Sequence, residues 1–486
     1  MKPIGPSHDA EVAVIGAGPA GIRAALVADG LGLRVVILDE AAQPGGQVYR
    51  AVPDALRPQA GETVGPDLRT GDGLRDRLAA SGAGVRLERR VWSVLPDETG
   101  FRIDALGPDG PEIYRARAII AATGTAERVV PFPGWTLPGV VGLAAATILL
   151  KAQRILPGQR TVVAGAGPLL MLVAAGILKA GGTVAAVVDL AGRADWLCCL
   201  PALIGRPDLL SRGLGWQLAL RAKRVPILHR HTVLRAEGHD GLEGVTVCPV
   251  DAAGRPVPDG RTKTIEADAL TIGHGLTPAI EMSRLLYAGH CFARERGGWV
   301  AEADADGRTS VPGLFVAGDG AGIRGAAAAE IQGELAALAA GRALGVLTEH
   351  DHGRRAAPLR RAHRRAARFG GAMARLMALR PAQVDAIPAE TVVCRCEDVT
   401  RGAIDAAIAD GADELNQIKH FTRCGMGPCQ GRMCGETVAE LLALRLGGRP
   451  AAGLWTARTP IRPIPLDAVL GQFDYADIPI PPPAHP

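Results

Sequence analysis

The chain has 486 residues, 48% hydrophobic and only 3% aromatic, which is enough for about two to four domains of an α/β protein. With 54 basic and 50 acidic residues the net charge is +4, a balance that makes no case for nucleic acid as a partner. No run of 18 apolar residues is free of charges or glycine turns, so no transmembrane helix is expected, and MKPIGPSHDAE lacks the apolar core of a secretion signal. Nine cysteines, five of them between Cys394 and Cys434, fit a reduced, cytoplasmic setting and a local cofactor better than disulfides.

The first element is VAVIGAGPAG, Val12 to Gly21. A buried strand runs into Gly16, Gly18 and Gly21 at GxGxxG spacing, with Pro19 and Ala20 opening a helix that continues to Asp29. Gly16 allows the tight turn, Gly18 lets a pyrophosphate approach the backbone at the helix N-terminus, and Gly21 lets helix and strand pack closely. A second strand, Leu33 to Leu38, ends in Asp39-Glu40, 23 residues after Gly16, where a carboxylate can take ribose hydroxyls. Gly45, Gly46 and Gln47 then read either as a loop lying along a flavin or pyrophosphate or as a plain surface turn. Residues 53–73 read as a loop, Leu74 to Ala80 as helical, and five short strands follow between Val85 and Ala122. The last of them runs into Thr123-Gly124, small residues beside which a cofactor can lie.

TVVAGAGPLL, Thr161 to Leu170, repeats the opening unit, with Leu170 where a third glycine belongs and Asp189 ending the following strand. This predicts a second nucleotide-type fold, either binding a nucleotide or serving as a packing unit. Trp196 to Leu220 is unusual for such a fold and reads as partner surface or core. Cys198 and Cys199 are adjacent and read as isolated thiols, and His274 lies between two glycines. GLFVAGDGAGIRG, Gly313 to Gly325, is a strand ending in Gly318-Asp319-Gly320 before a small-residue helix, Ala326 to Ala340. Here Asp319 can accept a ribityl hydroxyl while helix amides face phosphate. Arginines from Arg354 to Arg368 then form a basic, helical stretch that reads as linker, subunit contact or a surface for anionic membrane.

VVCRCEDVT carries Cys394 and Cys396, with Thr400 capping a helix over Arg401 to Ala409. HFTRCGMGPCQGRMC carries Cys424, Cys429 and Cys434. Cys429 follows Cys396 after 32 intervening residues and Cys434 after four more. Thiolates converging from glycine-rich turns suit an iron–sulfur cluster, with a four-cysteine zinc site as the alternative. Five cysteines exceed the four ligands of a [2Fe–2S] centre, and the equal gaps from Cys424 to Cys429 and from Cys429 to Cys434 leave the pair open.

The combination of VIGAGPAG, DEAAQPGGQVYR, AATGTAERVVPFPG, GLFVAGDGAG and CRCEDVT with TRCGMGPCQGRMC resembles the alpha subunits of heteromeric flavoprotein amine dehydrogenases, over about residues 9–470. Hydroxyproline, octopine and nopaline dehydrogenases and hydrogen cyanide synthase belong to that group. The resemblance implies an α/β flavoprotein with two dinucleotide-binding domains, like the disulfide reductases, plus a small helical [2Fe–2S] domain. The expected division is an FAD domain at 9–156 and 271–345, an inserted second fold at 157–270, a basic helical linker at 346–387, a bacterioferritin-associated-ferredoxin-like domain at 388–446 and a Pro-rich tail at 447–486. FAD is implied on Gly16, Gly18, Gly21, Asp39 or Glu40, Gly46, Gln47 and Asp319, with Pro19, Ala20, Thr123, Gly124 and Gly318 beside it. Cys394, Cys396, Cys429 and Cys434 are the implied ligands, with Cys424 as a neighbour. FMN at a subunit interface and ATP or NAD in the second fold are further candidates. A D-amino-acid-oxidase-like beta subunit carrying its own FAD, and in some members a small ferredoxin-like gamma subunit, are the implied partners. The alternatives are a self-contained NAD(P)H-dependent flavin oxidoreductase and a scaffold subunit with structural zinc.

Overall fold

A computed structural model describes residues 8–57, 65–258 and 261–469. The opening unit forms β1 (His8–Ile15), α1 (Pro19–Gly30) and β2 (Val35–Leu38), and β1 pairs in parallel with β2. Proline at the first helical position supplies the fixed φ that a helix start needs. Strand β3 (Gly84–Arg86) extends the parallel sheet beyond β2. Strands β4 (Arg90–Asp97), β5 (Gly100–Gly107) and β6 (Gly110–Ala121) form an antiparallel meander. The sequence breaks β6 into two pieces, but it is one 12-residue strand. Its first half pairs with β5 and its second half with the returning strand Leu314–Val316, while β1 lies along its other edge. That double use lets one strand serve a solvent-edge meander and a buried parallel sheet. The core on one face of this sheet comes from α1 and the helix Ala326–Ala343, where Ala336, Ala337, Ala339 and Ala340 are buried. The two helices cross closely, since a Cβ on Gly333 would lie 2.0 Å from the Ala20 carbonyl oxygen.

The second sheet repeats the plan. Thr183–Asp189 and Ala269–Gly273 flank Arg160–Gly165 in parallel. One edge strand is Ile227–His229 and the other is Val140–Gly142, paired with Leu270–Ile272, so the sheet reaches back before position 157. Beside it lies a three-stranded antiparallel meander, His231–Glu237, Gly244–Pro249 and Lys263–Glu266. The chain passes between the two sheets on a pair of short antiparallel strands, Thr125–Glu127 and Leu276–Pro278.

Three stretches add to the sequence expectation or differ from it. A helix begins at Pro66, inside the stretch read as a loop, of which 58–64 lies outside the described residues. Its glycine Gly71 is a packing residue, because a Cβ there would sit 2.9 Å from the Tyr49 carbonyl oxygen. The basic linker is a continuous helix of 28 residues, Glu349–Leu376, capped by Thr348 and packed on the body of the protein. Gly370 makes that packing possible, since a Cβ would clash with the Arg324 backbone. The Pro-rich tail folds back as far as residue 469: Trp455 covers Gly425, and Ile461 donates its amide to the Trp92 carbonyl.

Glu127, on the crossing strand, accepts hydrogen bonds from the Ala144 and Leu143 amides at a helix start. Burial pushes its carboxyl up from 4.5 to about 7 in spite of those donors. The unfolded chain therefore ionises this group first. Its contribution is most favourable below pH 4.5, weakens as pH rises towards 7 and is flat above that, a span of about 3 kcal/mol. In denaturation measured across this range, Glu127→Gln is expected to lack that component of the slope, and parallel wild-type and variant curves would contradict it.

Candidate functional site

The first glycine turn opens on a cleft of about 680 Å³. Gly16, Gly18, Pro19 and Ala20 form one wall, Asp39, Glu40, Gly46 and Gln47 a second, and Thr123, Gly124, Gly318 and Asp319 a third. The packing decides why the glycines are glycines. Gly16 has φ +104°, and a Cβ there would lie 2.3 Å from the Ala122 carbonyl oxygen. Gly21 would clash with the Gly16 carbonyl and lies outside the cleft lining, so it sets helix packing. A Cβ on Gly18 would find only the Gly46 Cα, at 3.8 Å, so this residue leaves room beside α1 for a pyrophosphate.

Gly45-Gly46-Gln47 is no plain surface turn. The Gly45 amide donates to the Ala17 carbonyl at 2.8 Å, and Gly46 packs on Gly18. Asp39 braces the same turn, accepting from the Ala41 amide at 2.7 Å and from the Ala17 amide. Burial pushes its carboxyl up, against those two donors. Glu40 is the more exposed acid and lies 3.9 Å from Arg90 and 4.0 Å from Arg462. Across the cleft, Asp319 Oδ1 accepts from the Arg324 and Gly325 amides at 2.8 and 2.9 Å, just before the helix at Ala326. The Thr123 hydroxyl donates to the Ala279 carbonyl at 2.6 Å, so Thr123 ties the β6 end to the crossing strands.

The cysteine domain contains the short strands Val392–Cys394 and Val399–Thr400 and the helices Arg401–Ala409, Leu415–Thr422 and Gly435–Leu446. The Thr400 hydroxyl accepts from the Ala403 amide, an N-cap of the expected kind. The sulfurs of Cys394, Cys424 and Cys434 lie within 4.8 Å of one another, all buried. Cys396 and Cys429 are half-exposed and hydrogen-bonded to each other. Of the four implied ligands, the structure thus puts two in the trio and two in the adjoining pair, with Cys424 completing the trio. The glycines here are forced by contact: a Cβ on Gly427 would lie 2.3 Å from the Cys396 Cβ, and Gly425 has φ +83° beneath the Trp455 ring. The Cys394 thiol is pushed far above its usual range, first by the neighbouring Cys434 thiol and then by burial. Five thiols gathered without a disulfide are a donor set for a soft metal centre, and iron ligation would supply the positive charge that thiolates need.

The family model described as pyridine nucleotide-disulphide oxidoreductase matches residues 10–333, and the BFD-like [2Fe-2S] binding domain matches 392–443. An opine oxidase subunit of Rhizobium meliloti is 36% identical over 96% of this chain and 88% of that protein. The chain belongs to this family of flavoprotein oxidoreductase subunits. Hydrogen cyanide synthase subunit HcnB of Pseudomonas aeruginosa is 34% identical over 94% of this chain and 97% of its own length. Among solved structures, L-proline dehydrogenase from P. horikoshii superposes with a TM-score of 0.70 at 21% identity, covering 97% of this chain and 81% of that one, which speaks for the fold. The family implies FAD, and the open Gly18 wall fits its pyrophosphate. The ferredoxin-like domain implies [2Fe–2S], and the thiols fit it.

Three features of this flavoprotein were not readable from motifs. Arg432, from the cysteine loop, lines the glycine cleft together with Glu281 and Arg462. It donates to Glu281 at 3.1 Å and to the Cys429 carbonyl at 3.2 Å. Second, the repeat of the glycine turn is covered by its own chain. Met377 packs against Gly167, where a Cβ would lie 2.5 Å from its Cγ, and Leu170 is fully buried. Asp189 accepts from the Ala191 amide and the Trp196 indole, both at 2.9 Å. Third, His274 is buried with neither ring nitrogen hydrogen-bonded, its pKa lowered to about 4 by burial and then by Arg128. It does not line the cleft. Leu170, Asp189, Trp196 and His274 stand out in the sequence, but the contacts that Arg432 and Met377 make do not.

Proposed function

We propose that this chain is the FAD- and [2Fe–2S]-containing alpha subunit of a heteromeric dehydrogenase acting on the C–N bond of a secondary amine or amino acid of hydroxyproline or opine type. In this reading it relays electrons from a flavin in a D-amino-acid-oxidase-like partner subunit to an acceptor. The observation that carries it is Arg432, which belongs to the cysteine loop and to the wall of the flavin cleft at once. A bound flavin can accept electrons in pairs and release them singly, and an iron–sulfur centre carries them one at a time.

The chain's own residues do the positioning. Gly18 and the α1 amides receive the pyrophosphate, Asp39 or Glu40 the ribose, and Asp319 the ribityl chain. Cys394, Cys396, Cys429 and Cys434 hold the iron, with Cys424 against them. Arg432 and Arg462 both engage Glu281, Arg89 engages Glu112 and Arg50 engages Gln47. Three of these four arginines are held by carboxylates and Arg50 by the neutral Gln47, and in this reading recognition of a substrate carboxylate falls to the partner subunit. No cysteine lines the cleft among the described residues, so a disulfide-reductase role has no redox pair to use. The names of the relatives, subunits of opine oxidase and hydrogen cyanide synthase, support a multisubunit enzyme. An FMN held between subunits and a gamma subunit belong to the same reading.

Met377, Leu170 and Trp196 occupy the features that a second dinucleotide would need, so the second fold seats the long helix instead of a nucleotide. Under anaerobic conditions NADH and NADPH are therefore expected to leave the visible spectrum of the purified chain unchanged. Amine substrate added to the assembled complex should bleach it. Rapid reduction of the isolated chain by a nicotinamide, or steady amine turnover by this chain alone with a dye acceptor, would overturn the reading.

A further inference from the structure

The stretch from Arg193 to Arg224 forms three short helices outside the second sheet, Arg193–Cys198, Leu200–Ile204 and Pro207–Ala222. Their inward side is settled. Cys199 packs near Ala372, its thiol 3.7 Å from that carbonyl, and Leu220 is fully buried. Their outward side is apolar as well: Leu197, Ile204, Leu214 and Leu218 are 66%, 63%, 52% and 63% exposed, and Leu200 is 40% exposed. Leu214 and Leu218 are one helical turn apart on their helix, as are Leu200 and Ile204 on theirs, and Leu197 lies near the end of the helix before it. A helix apolar on both sides requires a cover on each.

The charges around this face are mainly basic, and Asp195, half-exposed at its edge, is paired with Arg380 at 3.4 Å. Arg193, Arg221, Lys223 and Arg224 are exposed within the same stretch, whereas its exposed acid, Asp208, is paired with Arg206 at 2.7 Å. The helix Glu349–Leu376, joined to these helices through Ala372 and Phe369, adds exposed Arg361, Arg364, Arg365 and Arg368. An aliphatic face with a basic fringe matches a bilayer surface, where the aliphatic side chains enter the acyl boundary and the arginines meet phosphate headgroups. No helix among the described residues is long and apolar enough to cross a membrane, so such contact would be peripheral.

We propose that residues 193–224 form a peripheral docking face for anionic phospholipid, with Leu214 and Leu218 as inserting side chains. No residue of 193–224 lines the glycine cleft or belongs to the cysteine cluster, so the proposal stands or falls independently of the assigned reaction.

The test is flotation of the full chain, cofactors loaded, with vesicles of phosphatidylcholine alone or with about one-third phosphatidylglycerol. Binding to the anionic vesicles should exceed binding to neutral ones by at least tenfold and weaken with salt. Leu214→Ser/Leu218→Ser should reduce it at least tenfold at unchanged flavin and iron content, and Arg221→Gln/Arg224→Gln should reduce the anionic preference. Equal binding to both vesicle types, or no binding to either, overturns the proposal. So does wild-type self-association, seen by light scattering, that the leucine variant abolishes, since a second copy would then be the cover. Loss of the beta subunit from the purified complex of that variant overturns it equally, in favour of a subunit contact.

Discussion

Cys434→Ala is expected to empty the iron–sulfur site, from two irons and two acid-labile sulfides per chain to none. Cys434 is completely buried, touches both Cys394 and Cys424, and opens the helix Gly435–Leu446. Cys424→Ala is the paired control. Cys424 shares the buried trio, but the resemblance to other alpha subunits assigns ligation to Cys394, Cys396, Cys429 and Cys434. The Cys424→Ala protein should therefore keep its iron and sulfide while its reduced-state EPR signal shifts, because a thiol beside a ligand sulfur has been removed. Loss of the cluster in Cys424→Ala with retention in Cys434→Ala would reassign the fourth ligand to Cys424.

Gly18→Trp is expected to weaken FAD binding by on the order of 100-fold or more, about 3 kcal/mol. The backbone tolerates a side chain here, since the nearest atom to a Cβ would be the Gly46 Cα at 3.8 Å. An indole would fill the space of the pyrophosphate. The variant should fold, keep its iron and lose its flavin, which separates it from Gly21→Val. There the new Cβ would lie 1.8 Å from the Gly16 carbonyl oxygen, and the strand–helix unit itself would fail. FAD retained at wild-type affinity in a folded Gly18→Trp protein would remove the glycine turn from the flavin site.

The contrast between Gly18 and Gly21 shows what the sequence could carry. A glycine motif between a strand and a helix states its backbone geometry locally, so the nucleotide turn, the capping by Thr400 and the return through Asp319 were all legible. The parallel sheets followed from the alternation of apolar strands and small-residue helices. What stayed hidden depends on distance in the chain. Met377 meets Gly167 only because a 28-residue helix ends there, and nothing in GAGPLL announces a methionine from 210 positions away. Arg432 reads as one more basic residue among the cysteines until the loop is placed against Glu281. The same holds for β6, whose two halves look like separate strands because its partners change midway. Gly71 looked like a loop residue because close packing and turn formation both favour glycine, and only the Tyr49 contact tells them apart.

The central claim is that one chain holds a flavin cleft and an iron–sulfur centre joined through the Cys429–Arg432 loop. Its most direct test is chemical analysis of the anaerobically purified chain for flavin, iron, acid-labile sulfide and zinc, followed by EPR after reduction. One FAD, two irons and two sulfides per chain, with a signal typical of a reduced [2Fe–2S] centre, is the predicted result. Stoichiometric zinc without sulfide, or a protein without flavin, would contradict it.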